Sequence, residues 1–370
     1  MNILLYTSFN ERSIAIESIL LYFQKNGVTV FFLTTCSKGS IHTELEKNSV
    51  KCYSSRNESP GSLFKNLREI FFLVKFCKKN RIDIIHSHLQ MPNIYAVIAK
   101  FFVPAKIITV RHNSDVMYLF GTKKEKWIEK IINRFSPCII AISNKVKQQL
   151  IEFEGVKERK VVRINNGYDF SKYEGLSILK ENNVLRDSYK NKFVILSPGR
   201  LIASKRHHLC IEAMPELLKF QPTIHLLIIG DGPEKKSFQL LIDKLDLSAS
   251  VSIISYKENI TDYIKIANVV VQLSISEASN NSIKEAAYFE KTCVVCKDVG
   301  DFSDYIIHNR SGFLLDKNNP KFELIECIKK MFSSEADYGK ELKKEVLKQF
   351  SIDKIGMEYD ELHRQILEMK

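Results

Sequence analysis

Val269-Val270-Val271-Gln272-Leu273 runs into Ser274-Ile275-Ser276-Glu277-Ala278-Ser279-Asn280-Asn281 and then into Ser282-Ile283-Lys284-Glu285-Ala286-Ala287-Tyr288-Phe289. The first segment is a short β-branched run, as in a strand buried inside a parallel sheet. The Ser/Asn cluster caps a helix that starts near Asn280 or Asn281. The third segment, Ser282–Phe289, is that helix. A helix opening just past a strand end offers its amides to an anion without any metal. Glu277 lies on the loop and Glu285 about one turn inside the helix, where each can accept a hydroxyl hydrogen bond. On spacing alone a capped helix carrying surface glutamates is the favoured reading.

The same strand–loop–helix alternation extends in both directions, which predicts βαβ units and parallel sheets. In the first half the expected strands are Asn2–Tyr6, Val28–Leu33, Ile82–Ser87, Lys106–Val110, Cys138–Ile142 and Val161–Ile164. Helical patterns fall at Ser13–Lys25, Leu63–Lys79, Asn93–Phe102, Lys123–Phe135 and Asn144–Glu152. Polar Ser171–Lys192 reads as a linker. The alternation then restarts with strands Phe193–Ser197, Ile224–Ile229, Val251–Ile254, Val269–Leu273 and Thr292–Cys296. Helices are expected at His207–Leu218, Glu234–Leu245 and Ile260–Ile266, and Ile352–Met369 has helical periodicity. The count implies two doubly wound α/β domains, 1–170 and 193–350, joined by 171–192.

Ligands of such sheets bind beyond the carboxyl ends of the strands. Past Phe193–Ser197 comes Pro198-Gly199-Arg200-Leu201-Ile202-Ala203-Ser204-Lys205. Its glycine permits close backbone approach, and its two cations suit a diphosphate, Arg as a fork and Lys as a point charge. A solvated basic loop is an equal reading of this stretch alone. Gly230-Asp231-Gly232-Pro233 past Ile224–Ile229 makes a tight turn into a helix. Lys297-Asp298-Val299-Gly300-Asp301 is a further turn at the same edge. Arg206-His207-His208 reads as a solvated helix start. His86-Ser87-His88 sets two imidazoles on one strand face with no third ligand nearby in sequence, so packing is favoured over metal.

The chain has 370 residues and a formal net charge of +12, with pI near 9.1. Residues 1–180 hold 28 Lys/Arg against 15 Asp/Glu, and the remainder 27 against 28. The whole basic excess therefore lies in the first half. It concentrates in 64–81 and 121–134, two amphipathic stretches that read as helices with a wet cationic face or as a peripheral contact with anionic lipid. Trp127, the only Trp, suits an interface. Nucleic acid is disfavoured because no recognition motif accompanies the charge. No secretory leader and no long apolar span are read, and the eight cysteines lack a framework spacing, so a cytosolic, reduced protein is expected. Cys293 and Cys296 form a lone CxxC inside a strand, where they face opposite sides.

Gly199-Arg200…Lys205, Gly230-Asp231-Gly232-Pro233 and Glu277-x7-Glu285, in this order, resemble the retaining GT-B glycosyltransferases, and among them the bacterial group 1 transferases of family 4. Asn165-Asn166-Gly167-Tyr168-Asp169, Ala141-Ile142-Ser143 and Ser311-Gly312-Phe313-Leu314 resemble further segments of that family, so the likeness covers nearly the whole chain.

The resemblance implies two Rossmann-like domains facing across a cleft, with the last helix (352–370) crossing back to the first. It implies transfer of a sugar from a nucleoside diphosphate to a lipid-linked or growing glycan acceptor, as in bacterial surface polysaccharide synthesis, with no metal and no cofactor. Arg200 and Lys205 match the pair that holds the donor diphosphate, and Glu277 the glutamate on the transferred sugar. Glu285 matches the ribose-binding glutamate. The amides of Asn281, Ser282 and Ile283 would face phosphate, with Gly199, Gly230 and Asp231 lining the donor site. Thr109-Val110-Arg111-His112 resembles the family's Thr-x-His, which places His112 beside the anomeric carbon. Asn10, Arg111, Asn166 and Gly167 are assigned to the acceptor side. Three departures stand out: no glycine in Thr7–Ser13, Ala278-Ser279-Asn280 after the first glutamate, and Asp301 where a second glycine is common. Asp301 would contact a sugar hydroxyl or cap a helix. An inverting transferase, a sugar-nucleotide epimerase or a non-catalytic scaffold of the same fold are the rival readings.

Overall fold

A computed structural model describes residues 1–56, 62–115, 119–174, 183–257 and 259–368. The chain divides into two compact units, Met1–Asp169 with Phe350–Lys370, and Phe170–Gln349. Each is built on one parallel sheet.

The first unit has strands β1 (Asn2–Thr7), β2 (Thr29–Thr34), β3 (Lys51–Ser54), β4 (Ile84–His88), β5 (Lys106–Arg111), β6 (Cys138–Ala141) and β7 (Val161–Arg163). Their spatial order is β3-β2-β1-β4-β5-β6-β7. Among the described residues its helices are α1 (Ile14–Lys25), α2 (Ser40–Lys47), α3 (Leu63–Asn80), α4 (Gln90–Ala99), α5 (Lys123–Phe135) and α6 (Asn144–Gln148). α7 (Asn183–Tyr189) opens the second unit's helices. The second unit orders β10-β9-β8-β11-β12-β13, from β8 (Phe193–Pro198), β9 (Ile224–Ile229), β10 (Val251–Ile254), β11 (Val269–Gln272), β12 (Thr292–Cys296) and β13 (Phe313–Leu315). Its further helices are α8 (His207–Phe220), α9 (Lys235–Lys244), α10 (Thr261–Ile266), α11 (Asn281–Tyr288), α12 (Phe302–Tyr305), α13 (Pro320–Ser333) and α14 (Tyr338–Phe350). The final helix, α15 (Ile352–Glu368), belongs to the first unit.

Central strands are buried along nearly their whole length because helices cover both faces of a parallel sheet. All six residues of β9 are buried. Helix starts are fixed by side-chain caps: Ser13, Ser62, Ser143 and Asn280 accept an amide from the first turn, and Thr122 with Glu125 closes a capping box. The strand order reverses at β1|β4 in one unit and at β8|β11 in the other, which sets the ligand crevice of each sheet at those carboxyl ends.

The expected linker is corrected. Phe170–Tyr173 forms a helical turn whose rings pack on α11, with Phe170 stacked on Tyr288 at 5.7 Å between centroids. Asn183–Tyr189 is helical, and residues 175–182 of the segment lie outside the described residues. Two aromatic residues in a polar stretch were the signal, since a solvated linker does not need them.

α15 is tied to the first sheet through a buried imidazole pair. His86 of β4 and His363 of α15 meet Nε2 to Nε2 at 2.7 Å, among the rings of Phe23 and Tyr359. Burial holds His363 down to about 4, and burial together with the neighbouring His363 and His88 holds His86 well below its ordinary value. Both rings stay neutral where the unfolded chain, with His near ~6.5, has already taken up protons. The stabilisation from His363 is therefore present above about pH 6.5 and lost as pH falls toward 4, by up to about 2 kcal/mol at pH 5, and His86 acts in the same direction. Thermal unfolding followed from pH 7 to 5 is expected to show this loss, and His363→Leu is expected to flatten the slope.

Candidate active site

At the carboxyl end of β8 the chain turns sharply at Gly199, φ +141°, and its amide bonds the Ile229 carbonyl at 2.9 Å. Gly230, φ +158°, lies against it so closely that a Cβ there would fall 1.9 Å from the Gly199 oxygen. Only glycine allows this approach of backbone to backbone. The Leu201 amide bonds the Asp231 carbonyl at 2.9 Å, and the Asp231 carboxylate takes the Tyr256 amide at 2.8 Å and Lys235 at 3.3 Å. Gly230 and Asp231 thus hold the Arg200 loop in place. Arg200 itself is exposed, with no side-chain hydrogen bond or ion pair to the described residues.

His207 lies fully buried beneath this loop. Its Nδ1 meets Ser197 Oγ at 2.9 Å and its Nε2 faces the Arg200 carbonyl at 3.3 Å. Burial lowers its pKa to about 4, so it braces the loop as a neutral ring. Arg206 donates to the Leu273 carbonyl at 2.6 Å, the Lys317 carbonyl at 2.8 Å and Cys296 Sγ at 3.2 Å. It stitches together the chain beyond β11, β12 and β13. The Arg206-His207 pair is therefore an internal brace and not a solvated helix start. Cys296 is a buried acceptor whose thiol burial pushes up to about 11.

Lys205 Nζ is in direct contact with Glu277 Oε1. The same oxygen accepts from Ser274 Oγ at 2.8 Å, Asn280 Nδ2 at 3.2 Å and Gln272 Nε2 at 3.5 Å. Their side chains keep only 13% and 12% of their exposure, so Lys205 and Glu277 are a preset ion pair at the rim of β8 and β11. Gln272 and Ser274 went unnoticed in the sequence because they look like ordinary strand-end residues.

α11 begins at Asn281, with Asn280 Oδ1 taking the Ile283 amide at 3.2 Å. Ile283 is therefore already committed to the cap, and of the three amides expected to face phosphate, Asn281 and Ser282 remain candidates. Glu285 Oε1 accepts from the Tyr173 hydroxyl at 3.1 Å, and burial pushes its carboxyl above the ordinary range. Between the two glutamates, Lys284 is fully enclosed. Its Nζ bonds Asp301 Oδ2 at 2.6 Å, Ser279 Oγ at 3.0 Å and the Asn280 carbonyl at 3.2 Å, and it lies 5.2 Å from the Tyr305 ring centroid. Asp301 is equally enclosed and also accepts from Ser279 at 2.7 Å. Asp301 thus neither meets solvent nor caps α12 through its side chain. It is the counter-charge that fixes Lys284 and the loop between Glu277 and Glu285.

The first unit supplies the other expected residues. His112 follows β5, and its Nε2 meets His88 Nδ1 at 2.7 Å. Burial lowers its pKa to about 4. Arg111 is corrected: it is buried, in contact with Glu129 and at 2.7 Å from Glu154, whose other oxygen takes Asn133 at 2.7 Å. Its guanidinium locks α5 to the sheet and does not face an acceptor. Gly167 is buried under α15, where a Cβ would reach Ile352 at 2.9 Å, so it serves packing. Asn10 ties the loop after β1 to the Ser37 carbonyl at 3.0 Å. Asn166 is half-buried beside Gly167. Among the described residues no group of three or more His, Cys, Asp or Glu is placed to hold a metal ion.

Two family models match the chain. "Glycosyltransferase Family 4" covers residues 14–172, and "Glycosyl transferases group 1" covers 181–349. The chain belongs to the group 1 glycosyltransferases. An uncharacterised Methanocaldococcus jannaschii glycosyltransferase is 25% identical over 66% of this chain, and the chain spans 63% of that relative's length. Staphylococcus aureus CapM, a capsular polysaccharide biosynthesis glycosyltransferase, is 25% identical over 83% of each chain. An Escherichia coli galactosyltransferase acting on GlcNAc-diphosphoundecaprenol is 25% identical over 70% of this chain and 68% of its own. Among solved structures, Anabaena HepE with UDP and glucose superposes with a TM-score of 0.83 at 20% identity, over 99% of this chain and 100% of its own. A Rickettsia africae glycosyltransferase gives 0.82 at 22%, over 100% and 99%. The fold is GT-B.

Removing one member of a buried ion pair leaves the other charge unmatched and costs about 3–5 kcal/mol, whereas an apolar pair of similar volume is close to neutral. Asp301→Ala is therefore expected to lower the stability of this group 1 transferase by that amount in chemical denaturation. Lys284→Met combined with Asp301→Leu is expected to recover most of it.

Proposed function

We propose that the protein is a retaining glycosyltransferase that moves a sugar from a nucleoside diphosphate to a lipid-linked or growing glycan acceptor. The observation that carries this reading is the placement of exposed Arg200 beside the Lys205–Glu277 pair at the β8|β11 crevice. HepE is described with UDP and glucose, and the E. coli and S. aureus relatives are named for lipid-linked and capsular glycans, which supports the same substrate classes here.

In this reading Arg200 and Lys205 take the donor diphosphate, and Lys205 exchanges its carboxylate for phosphate. Glu277 then turns to the hydroxyls of the transferred sugar, and Glu285 accepts from the ribose. His112 stands at the anomeric centre. The bond from the anomeric carbon to the phosphate oxygen breaks as the acceptor oxygen attacks the same face, and the acceptor proton passes to the departing phosphate. The two cations stabilise the charge that grows on that phosphate, so the leaving group needs no metal.

A membrane-peripheral location is part of the same proposal, a reading that the outer helices of the first unit support. α4 packs between α3 and α5. Phe64 (77% exposed), Phe71 (70%), Phe101 (66%) and Trp127 (63%) project from this layer among Lys65, Arg68, Lys100, Lys123, Lys124 and Lys126. Exposed aromatics interleaved with lysines suit an anionic headgroup layer. Among the described residues no helix is long and apolar enough to cross a membrane.

With UDP-sugar donors and a lipid-diphosphate-linked acceptor, Arg200→Ala is expected to lower kcat by about 10²–10³, as for loss of one preorganised donor to developing charge. Proton NMR of the product is expected to show the donor's anomeric configuration. The opposite configuration would mean an inverting enzyme. Sedimentation with vesicles containing phosphatidylglycerol tests the surface. Changing Lys123, Lys124 and Lys126 to Glu is expected to weaken binding at least about a hundredfold, at ~1 kcal/mol per charge, and to leave UDP binding unaltered.

A further inference from the structure

The carboxyl ends of β4 and β5 bring two imidazoles into register. His88 pairs with Val110 across the strands, and His112 is two residues further on. The rings lie 5.0 Å apart at 30°, and His88 Nδ1 faces His112 Nε2 at 2.7 Å. One hydrogen must lie between these two nitrogens, because two bare nitrogens or two N–H groups would repel at that distance.

The other nitrogen of His88 decides whose hydrogen it is. His88 Nε2 is buried with no hydrogen-bond partner among the described residues. If His112 donated, neutral His88 would carry its proton on Nε2, as an orphaned buried N–H. If His88 donates from Nδ1, Nε2 is left as an unmatched lone pair, which is the cheaper defect. His112 Nε2 is then an acceptor, and the His112 proton resides on Nδ1. A charged pair is disfavoured because His88 is enclosed on all sides.

We propose that His88 is a positioning residue that holds His112 as the neutral Nδ1–H tautomer, so that His112 acts as a hydrogen-bond donor and not as a base. The functional part rests on the placement of His112 at the anomeric centre. His112 Nε2, the nitrogen that would remove an acceptor proton, is occupied by His88. Its remaining ring group is an N–H, which suits a hydroxyl of the sugar or acceptor and leaves proton removal to the departing phosphate. The His86-Ser87-His88 motif thus divides its labour. His86 ties α15 to the sheet, and His88 sets the state of its neighbour.

Nitrogen-15 NMR of the full chain labelled in histidine reads this directly, with His112→Gln used to assign the resonances. His112 is expected to show a protonated Nδ1 and a bare Nε2 from pH 6 to 8. In His88→Phe, which keeps the ring volume but lacks the donor, the His112 proton is expected to move toward Nε2. There kcat is expected to fall at least about tenfold, with the donor KM within about twofold. His88→Asn, whose amide replaces the Nδ1–H, is expected to restore the tautomer and most of the rate. A wild-type His112 protonated on Nε2 would overturn the proposal even if His88→Phe failed to fold. So would a His88→Phe enzyme with an unmoved tautomer or an unmoved kcat. Unaltered turnover in His112→Gln would instead remove His112 from the anomeric centre and leave the tautomer result standing.

Discussion

Two cations and two carboxylates must coexist at the carboxyl ends of β8 and β11 before any anionic ligand arrives. The Lys205–Glu277 ion pair is what makes this possible. Both side chains are mostly withdrawn from water, where an unmatched charge is expensive. Glu277 Oε1 therefore gathers Lys205, Ser274, Asn280 and Gln272 around one oxygen. A diphosphate brings more negative charge than one carboxylate, so it is a better partner for Lys205, while Glu277 is a better partner for hydroxyls. In the proposed function the ligand therefore arrives by an exchange of partners and not by creation of a site.

That node holds its place because charge matching is repeated one layer below. Lys284 and Asp301 are both fully enclosed and share Ser279. They clamp the loop between Glu277 and the start of α11. His207 and Arg206 do the same for the Arg200 loop, using a neutral ring on one side and a fork of carbonyl and sulfur acceptors on the other. A mobile rim would lose the preorganisation on which electrostatic stabilisation depends. The departure from glycine at position 301 is thus linked to the lysine at 284, and the two are read together or not at all.

The sequence made the βα alternation legible because central parallel strands are mostly apolar and several of their helices are capped by Ser, Thr or Asn. It concealed β3 and β13, edge strands of four and three residues, β3 being half exposed and β13 too short to show a period. At the site, Arg200, Lys205, Glu277 and Glu285 were visible through their order along the chain. Their supports were not, since the contact of His207 with Ser197, or of Tyr173 with Glu285, exists only once the chain has returned on itself. Arg111 misled for the opposite reason. An arginine at a strand end looks like an anion ligand until Glu129 and Glu154, 18 and 43 residues on, are seen beside it.

The two crevices share a topology and differ in charge, which bears on where the basic excess acts. At β8|β11 the central groups are an ion pair, Lys205 with Glu277, beside the exposed guanidinium of Arg200. At β1|β4 and along β5 they are imidazoles kept neutral by burial, and Arg111 is balanced by two glutamates. The strand ends of the first unit therefore contribute little of the excess of 28 basic over 15 acidic residues within 1–180. Much of that excess lies instead on α3 and α5, which also carry exposed aromatic rings. A diphosphate is recognised by a few fixed charges at one rim, whereas a lipid surface is recognised by many loosely placed ones. In the proposed function the first pattern belongs to the second unit's β8|β11 rim and the second to α3 and α5 of the first unit, so the net charge is read as a surface property and the chemistry as the work of a handful of matched pairs.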